Sequence, residues 1–337
     1  VLGLFGLGAG LAGFIAPYDY RTQYRDSIHA PPASVHFFDG QGRFVRPFVY
    51  KYRRVEGTGR RYVEDRSATH PVECFVRGDQ YRLLGVWESS IHLFGVSSPA
   101  RIHILGTDAL GRDVFSRLVY GSQVTLSVAL ASLVAALLLG VIIGCVSGYF
   151  GGGLDVLLMR LGELVGSVPA IFFILAVRAA FPLDLSAEKT IGLLVLIFAL
   201  VSWPEVSRLV RATALSLVSR EFVLSAKAAG ASHLRVLVRH IVPHALAPAI
   251  VQAAIIVPSF VLGEAALSFL GVGVKEPRPS WGNMLAAAQD LTVLTNYWWM
   301  LTPGVALFVL VAIFSLLGDA IRDALDPRLK QSPPGWG

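Results

Sequence analysis

The run from Val124 to Val146 carries no charged residue and is long enough to cross a bilayer by itself. A hydrocarbon core of ~30 Å takes roughly 20 apolar residues at ~1.5 Å of rise each. Comparable stretches recur at about Leu154–Phe181, Thr190–Val210, Ala245–Leu270 and Trp298–Ile321. Residues 1–16, "VLGLFGLGAGLAGFIA", read as the outer part of a first span whose beginning lies outside this sequence. Lipid offers no partner for backbone N–H and C=O groups, so each run must form a helix that satisfies its own hydrogen bonds. Six spans place both chain ends on one side.

Composition agrees. The 337 residues are 54% hydrophobic and 15% charged, with a mean hydropathy of +0.60. Soluble domains run to about 45–50% apolar and about 25% charged. The expected class is an all-α polytopic membrane protein. A net charge of +6 would suggest nucleic acid in a soluble chain; here loop topology accounts for it, and no nucleic-acid partner is expected. Cys74 sits in a hydrophilic stretch and Cys145 inside an apolar run, so no disulfide framework is implied.

Residues 17–103 interrupt the pattern. "SVHFFDGQGRFVRPFVYKY" sets Asp39-Gly40 and Gln41-Gly42 between aromatic and β-branched runs, and "ECFVRGDQYRLLGV" repeats the design around Gly78-Asp79. Both predict hairpins, and the stretch predicts a small β-rich cap outside the membrane. Beyond it, residues 104–330 form the membrane core and 331–337 a short tail. "GYFGGGLD" and "PLDLSAEK" are tight connections, Pro204 should kink its span, and 271–297 is a longer polar loop with room for a short helix.

Orientation follows from charge. Arg208, Arg211, Arg220, Lys227, Arg235 and Arg239 face only Glu221 in the segment between the fourth and fifth spans. That excess puts this segment in the cytoplasm, together with both termini, and residues 17–103 outside.

Enzyme signatures are missing. No Lys follows a Gly in a Walker-type loop, and neither HExxH nor GxSxG occurs. "GAGLAG" at 8–13 fits GxGxxG, but in an apolar run it reads as small residues that let helices approach. "SAEK" at 186–189 fits SxxK in a short loop and carries no weight. His240 and His244 have helical ligand spacing, yet Pro243 lies between them and no third ligand is evident, so no metal is expected.

The segment "SREFVLSAKAAGASHLRVLVRHIVPH", 219–244, is the exception, because its parts agree. Ser219 can cap a helix with Glu221 in its first turn and Phe222, Val223, Ala226 and Ala229 as a small apolar face. Gly230 suits a left-handed bend after it. Ser232 can cap a second helix, with Leu234, Leu237, Val238 and Ile241 along one side, ending at Pro243. Such an element lies at the membrane interface. It either offers a knob to a cytoplasmic partner or anchors to lipid headgroups.

Gly230, the "GAS" after it and "HIVP" at 240–243 resemble the EAA loop of ABC importer permeases. "LGTDALGRDVFSRLVYG", "SGYFGG", "MRLGELVGSVPA", "GEAALSFLGVGV", "PSWGNML" and "GDAIRDALDPRL" follow in the family order across about 104–330. They are similar to the C-type permease subunit of dipeptide and oligopeptide importers, and the insert after the first span resembles the Yej-type branch. Leu224-Ser225-Ala226 stands where the family has Glu-Ala-Ala, with Glu221 one turn earlier, and His244 stands where an asparagine often follows the proline.

The resemblance implies a type I importer permease fold and a non-catalytic chain without a cofactor of its own. ATP and Mg would sit on two partner ATPase subunits, beside a second, B-type permease and a periplasmic substrate-binding protein, in a bacterial inner membrane. Glu221, Phe222, Ala226, Lys227, Gly230, Arg235 and Pro243 become the candidates for coupling to the ATPase, through a coupling helix at 219–232. Ionisable residues inside spans are functional suspects in their own right. Glu163, Glu205 and Glu264 could line the pathway or pack against the partner permease, and Glu163 could pair with Arg160 three residues before it. The alternative function is a proton-coupled secondary transporter of small solutes, for which Glu205 and Glu264 would be the acids.

Overall fold

Glycines placed every fourth residue explain how two long helices of this chain come together. In a computed structural model, which describes Gly6 and residues 8–55, 62–83, 86–182 and 184–325, the chain forms two compact units. One comprises residues 1–126 and 265–308, the other 127–264 and 309–337. The helices used below are α1 (Ala12–Ile15), α2 (Val114–Phe150), α3 (Gly152–Ser167), α4 (Ala170–Ala179), α5 (Ala187–Val218) and α6 (Glu221–Ala228). They continue with α7 (His233–Phe269), α8 (Trp281–Leu285), α9 (Leu291–Asn296) and α10 (Thr302–Leu325).

In the second unit, Gly140, Gly144 and Gly148 line the face of α2 that meets α5. A Cβ on Gly144 would lie 2.6 Å from the Ser207 carbonyl oxygen, and one on Gly148 would lie 2.7 Å from the Ala214 Cβ. Only hydrogen permits that approach, and close backbone contact is what holds helices together in lipid. Gly151 and Gly152, at φ +64° and +59°, then turn the chain into α3, as the glycine-rich "GYFGGGLD" predicts.

Among the described residues, Val114–Phe150, Ala187–Val218, His233–Phe269 and Trp298–Asp323 are long and apolar enough to cross a membrane. The run expected to span at Leu154–Phe181 is not one straight helix. It breaks into α3 and α4, bent by 91° at Val168-Pro169, and counts as a fifth crossing if the pair is one span. Proline pushes the residue before it out of the helical region, and Val168 accordingly sits at ψ 129°. The expected span at 1–16 includes residues outside the described set, and so does the expected tail at 331–337. Pro204 lies within α5, which continues to Val218.

The first unit contains an antiparallel sheet in the order β1 (His36–Phe38), β2 (Phe44–Arg54), β3 (Tyr62–Leu83), β4 (Trp87–Val96). The hairpin expected at Asp39–Gly42 is present. Asp39 Oδ1 accepts from the backbone N–H of Gln41 and Arg43 at 2.8 and 2.9 Å, and Gly42 takes φ +74°. The second expected hairpin is not at Gly78-Asp79. β3 runs through that dipeptide with a register shift between Arg77 and Tyr81, and pairs on as far as Leu83 opposite Trp87. Gly78 serves close approach instead of a turn: a Cβ there would stand 2.8 Å from the His92 ring, which packs over the bulge and bonds the Asp79 carbonyl at 2.9 Å.

The same unit has a core of Val114, Met284, Val293, Trp299 and Met300. The loop expected at 271–297 holds α8 and α9. Ser280 and Asn283 cap α8 reciprocally, and the Trp281 indole donates to the Leu118 carbonyl at 2.8 Å. Glu276 reaches two guanidiniums, with Arg112 Nη1 at 2.5 Å and Arg117 Nη2 at 2.7 Å, while Arg112 also holds Asp108 at 2.7 Å. Burial works against the charge of Arg112, but Asp108 and Glu276 together outweigh it and hold the group above its ordinary range.

Candidate functional site

The segment between α5 and α7 satisfies its backbone within a few residues. α5 ends at Ser219, which adopts a helical φ/ψ pair and donates its N–H to the Leu217 carbonyl. Ser219 therefore does not cap the next helix; Arg220, in an extended conformation, occupies that position without a side-chain bond. α6 closes as the sequence anticipates. Gly230 takes φ +79°, its N–H bonds the Lys227 carbonyl at 3.0 Å, and the Ala231 N–H bonds the Ala226 carbonyl at 3.1 Å. This reciprocal pair is a Schellman motif, and it needs the left-handed residue that glycine supplies. Ser232 Oγ then accepts from the Arg235 N–H at 3.4 Å and starts α7, as expected.

α7 does not end at Pro243. Its first turns widen into a π turn over Leu237–Ile241, and the helix continues to Phe269. The wider turn adds a residue ahead of Pro243, where the proline ring would otherwise crowd the carbonyl four positions back. His244 Nδ1 donates to the His240 carbonyl at 2.8 Å across the same stretch.

Burial divides the expected apolar faces. Val223 is fully buried and Ala226 half-buried, whereas Phe222 is 40% exposed and Ala229 is exposed. In α7, Val236, Leu237 and Ile241 are buried, but Leu234 is 71% and Val238 60% exposed, so those four expected positions do not share a side. The expected face assumes regular α-helical spacing, which the π turn interrupts. Leu224 is also half-exposed. Glu221 and Arg235 face outward, and Pro243 is exposed within the helix. The Phe222 ring stacks on His244 at 5.4 Å.

Tyr149, near the end of α2, joins this segment and was not among the sequence candidates. The Lys227 ammonium lies 4.7 Å from its ring centre, and its hydroxyl hydrogen-bonds His233 Nδ1 at 2.8 Å. A second tie forms nearby, where Arg211 grips Asp155 through Nε and Nη2 at 2.5 and 2.6 Å and the Ser147 hydroxyl donates to the same carboxylate. Neither tie could be read from spacing, because each depends on which helix ends meet.

The three acids suspected within spans part company. Glu163 is exposed and accepts from Arg160 Nη1 at 2.5 Å, the expected pair. Glu205 is exposed and accepts from Gln252 Nε2 at 2.7 Å. Glu264 is fully buried. Among the described residues no cluster of His, Cys, Asp and Glu has the arrangement of a metal site.

Four helices long and apolar enough to cross a membrane, among the described residues, define the class of multi-pass membrane proteins. Residues 136–331 match the family of binding-protein-dependent transport system inner membrane components, and the chain belongs to that family. It is 37% identical over 235 residues to a dipeptide transport system permease protein, DppC, of Alkalihalophilus pseudofirmus, covering 70% of this chain and 75% of that one. It is 37% identical over 230 residues to a di/tripeptide transport system permease protein of Pseudomonas aeruginosa, covering 68% and 73%. Among solved structures, an inward-facing form of the MetNI methionine ABC transporter overlaps with a TM-score of 0.48 at 18% identity, over 63% of this chain and 97% of that one. The chain is thus a multi-pass inner-membrane permease subunit of an ABC importer and not its catalytic part. This membership leaves the proton-driven alternative without support.

Proposed function

We propose that α6, within residues 219–232, is the helix on which a separate ATPase pushes, and that the solute moved is a short peptide. The observation that carries this reading is a segment complete in its backbone and incomplete in its side chains. Phe222, Leu224, Leu234 and Val238 expose apolar surface beside the outward charges of Glu221 and Arg235. Such a surface fits a hydrophobic groove on a partner that reads an amphipathic helix. Glu221 takes the place of the acid missing at Leu224-Ser225-Ala226. Phe222, held by His244, forms the tip, and Ala226 and Lys227 seat the helix against the chain's own body. Gly230 and Pro243 set the angle at which α6 leaves α5 and α7 begins.

In the proposed assembly, a B-type permease pairs with this chain, two ATP-binding subunits carry ATP and Mg, and a periplasmic binding protein delivers the peptide. Both termini and residues 219–232 lie in the cytoplasm, and residues 17–103 lie outside. Peptide as the substrate is supported by the similarity to dipeptide and di/tripeptide permeases.

Photo-crosslinking from position 224 in the assembled transporter tests the coupling role. Adducts to an ATP-hydrolysing subunit are expected. Adducts to lipid alone, or peptide uptake that persists without any ATPase, would overturn it.

A further inference from the structure

A cavity of about 440 Å³ opens within the second unit, where the bend between α3 and α4 faces the middle of α5 and of α7. Its volume falls in the range of small-ligand sites, roughly 300–1,000 Å³. Val168 and Pro169 line it from the bend, Ser202, Glu205 and Arg208 from α5, and Ser259 from α7.

Two of those residues carry opposite charge inside candidate spans, where a charge is costly and marks a pathway. Both are exposed. One carboxylate oxygen of Glu205 is taken by Gln252, which steadies the group and leaves the other oxygen without a hydrogen bond. Among the described residues, Arg208 makes no ion pair and no side-chain hydrogen bond, with Glu205 or with any other group. A merely structural pair would close on itself, as Arg160–Glu163 and Asp155–Arg211 do in the same unit. Glu205 and Arg208 are three apart on one helix, so their Cβ atoms stand about 5–6 Å from each other and their long side chains can diverge further. The charged ends of a dipeptide are separated by a similar distance, at about 3.3–3.6 Å per extended residue. The serines and the aliphatic wall would contact its middle without demanding a particular side chain.

We propose that this cavity is a stopping point for a short zwitterionic solute, with the ammonium on Glu205 and the carboxylate on Arg208. The proposal rests on the importer reading above and adds a chemical class and an address to it.

The test uses the assembled transporter in proteoliposomes, with Cys74→Ser and Cys145→Ala removing the native thiols. Ser259→Cys then serves as a reporter for a charged methanethiosulfonate reagent, and Ser202→Cys is an independent second reporter. Added alanyl-alanine should slow labelling about tenfold, as charge-assisted hydrogen bonds allow. Its N-acetylated, C-amidated form should not. Glu205→Gln and Arg208→Gln should each abolish the protection. Equal protection by the free and blocked dipeptides, no protection by either, or thiols that never label would overturn the site. No protection of the reporters that keep Glu205 and Arg208, alongside intact ATP-driven uptake, condemns the cavity alone, whereas uptake that needs no ATP condemns the importer reading.

Discussion

The loop at 271–301, with the 104–117 stretch that it packs against, and the segment at 219–244 both adjoin long helices, and they are built in opposite ways. In the first, polar side chains consume one another. Arg112 and Arg117 share Glu276, Asp108 holds Arg112, and the indoles of Trp281 and Trp299 donate to the Leu118 and Thr107 carbonyls. In the second, the backbone is satisfied and Lys227 and His233 are tied to Tyr149, but Phe222, Leu224, Leu234 and Val238 stay exposed. A buried polar group that lacks a partner costs free energy, so the first region closes inward. Exposed apolar groups beside a rigid bend await another surface. The contrast separates a fixed frame from the proposed interface within one chain.

Substitutions can break that contrast in order of expected size. Gly144→Val should be the most damaging, since a Cβ there meets the Ser207 carbonyl and the overpacking costs about 3 kcal/mol; thermal unfolding in detergent would read it. Arg117→Gln should cost about 2 kcal/mol in the same assay, moderated because Glu276 is half-exposed and keeps Arg112. If it leaves stability unchanged, the frame is looser than its geometry suggests.

Gly230→Ala separates the two regions most sharply. A Cβ there meets nothing within 4 Å, so the cost is backbone strain alone, about 1 kcal/mol at φ +79°. The unfolding temperature should barely move, while ATP-driven uptake falls several-fold as α6 is misaimed. Uptake equal to wild type would remove the bend from the mechanism. Tyr149→Phe should act more weakly, because it loses the bond to His233 but keeps the ring under Lys227. About 0.5 kcal/mol is expected, visible as a modest drop in uptake per ATP hydrolysed.

The smallest effect concerns the sheet. Burial raises the Glu64 carboxyl, but hydrogen bonds and charge from His36 and Arg66 outweigh it and hold the group below the ordinary glutamate range. Its contribution to stability is therefore complete above about pH 4.3 and lost as pH falls through the lower folded-state value. Glu64→Gln should lower stability slightly at neutral pH and flatten the acid side of the curve, leaving stability unchanged below the folded-state value.

What the sequence revealed depended on how local the cause was. Four of the apolar runs, at 124–146, 190–210, 245–270 and 298–321, the Asp39–Gly42 hairpin, the Gly230 bend and the Ser232 cap each follow from a few neighbouring residues, and they stand where expected. Gly78-Asp79 misled because glycine for a turn and glycine for a close ring look alike until His92 is in place. Leu154–Phe181 read as one span because composition is blind to a bend at Val168-Pro169. The Gly140, Gly144, Gly148 series was present in the sequence and gave a usable signal, since small residues four apart mark a helix seam. Tyr149 and the Glu205–Arg208 cavity gave none, because they arise only when separate helices converge.

The π turn at Leu237–Ile241 sets the phase of everything after it. Each α-helical residue advances about 100°, so the one surplus residue held there fixes which way the rest of α7 points. Were these residues to take ordinary α spacing without losing one, Gln252 would swing away from Glu205 by about that angle, whereas deleting Val238 together with the π turn would leave it in place. A helix this long can thus be re-indexed from one end, and the amide that steadies the Glu205 carboxylate is timed by five residues next to the proposed docking helix.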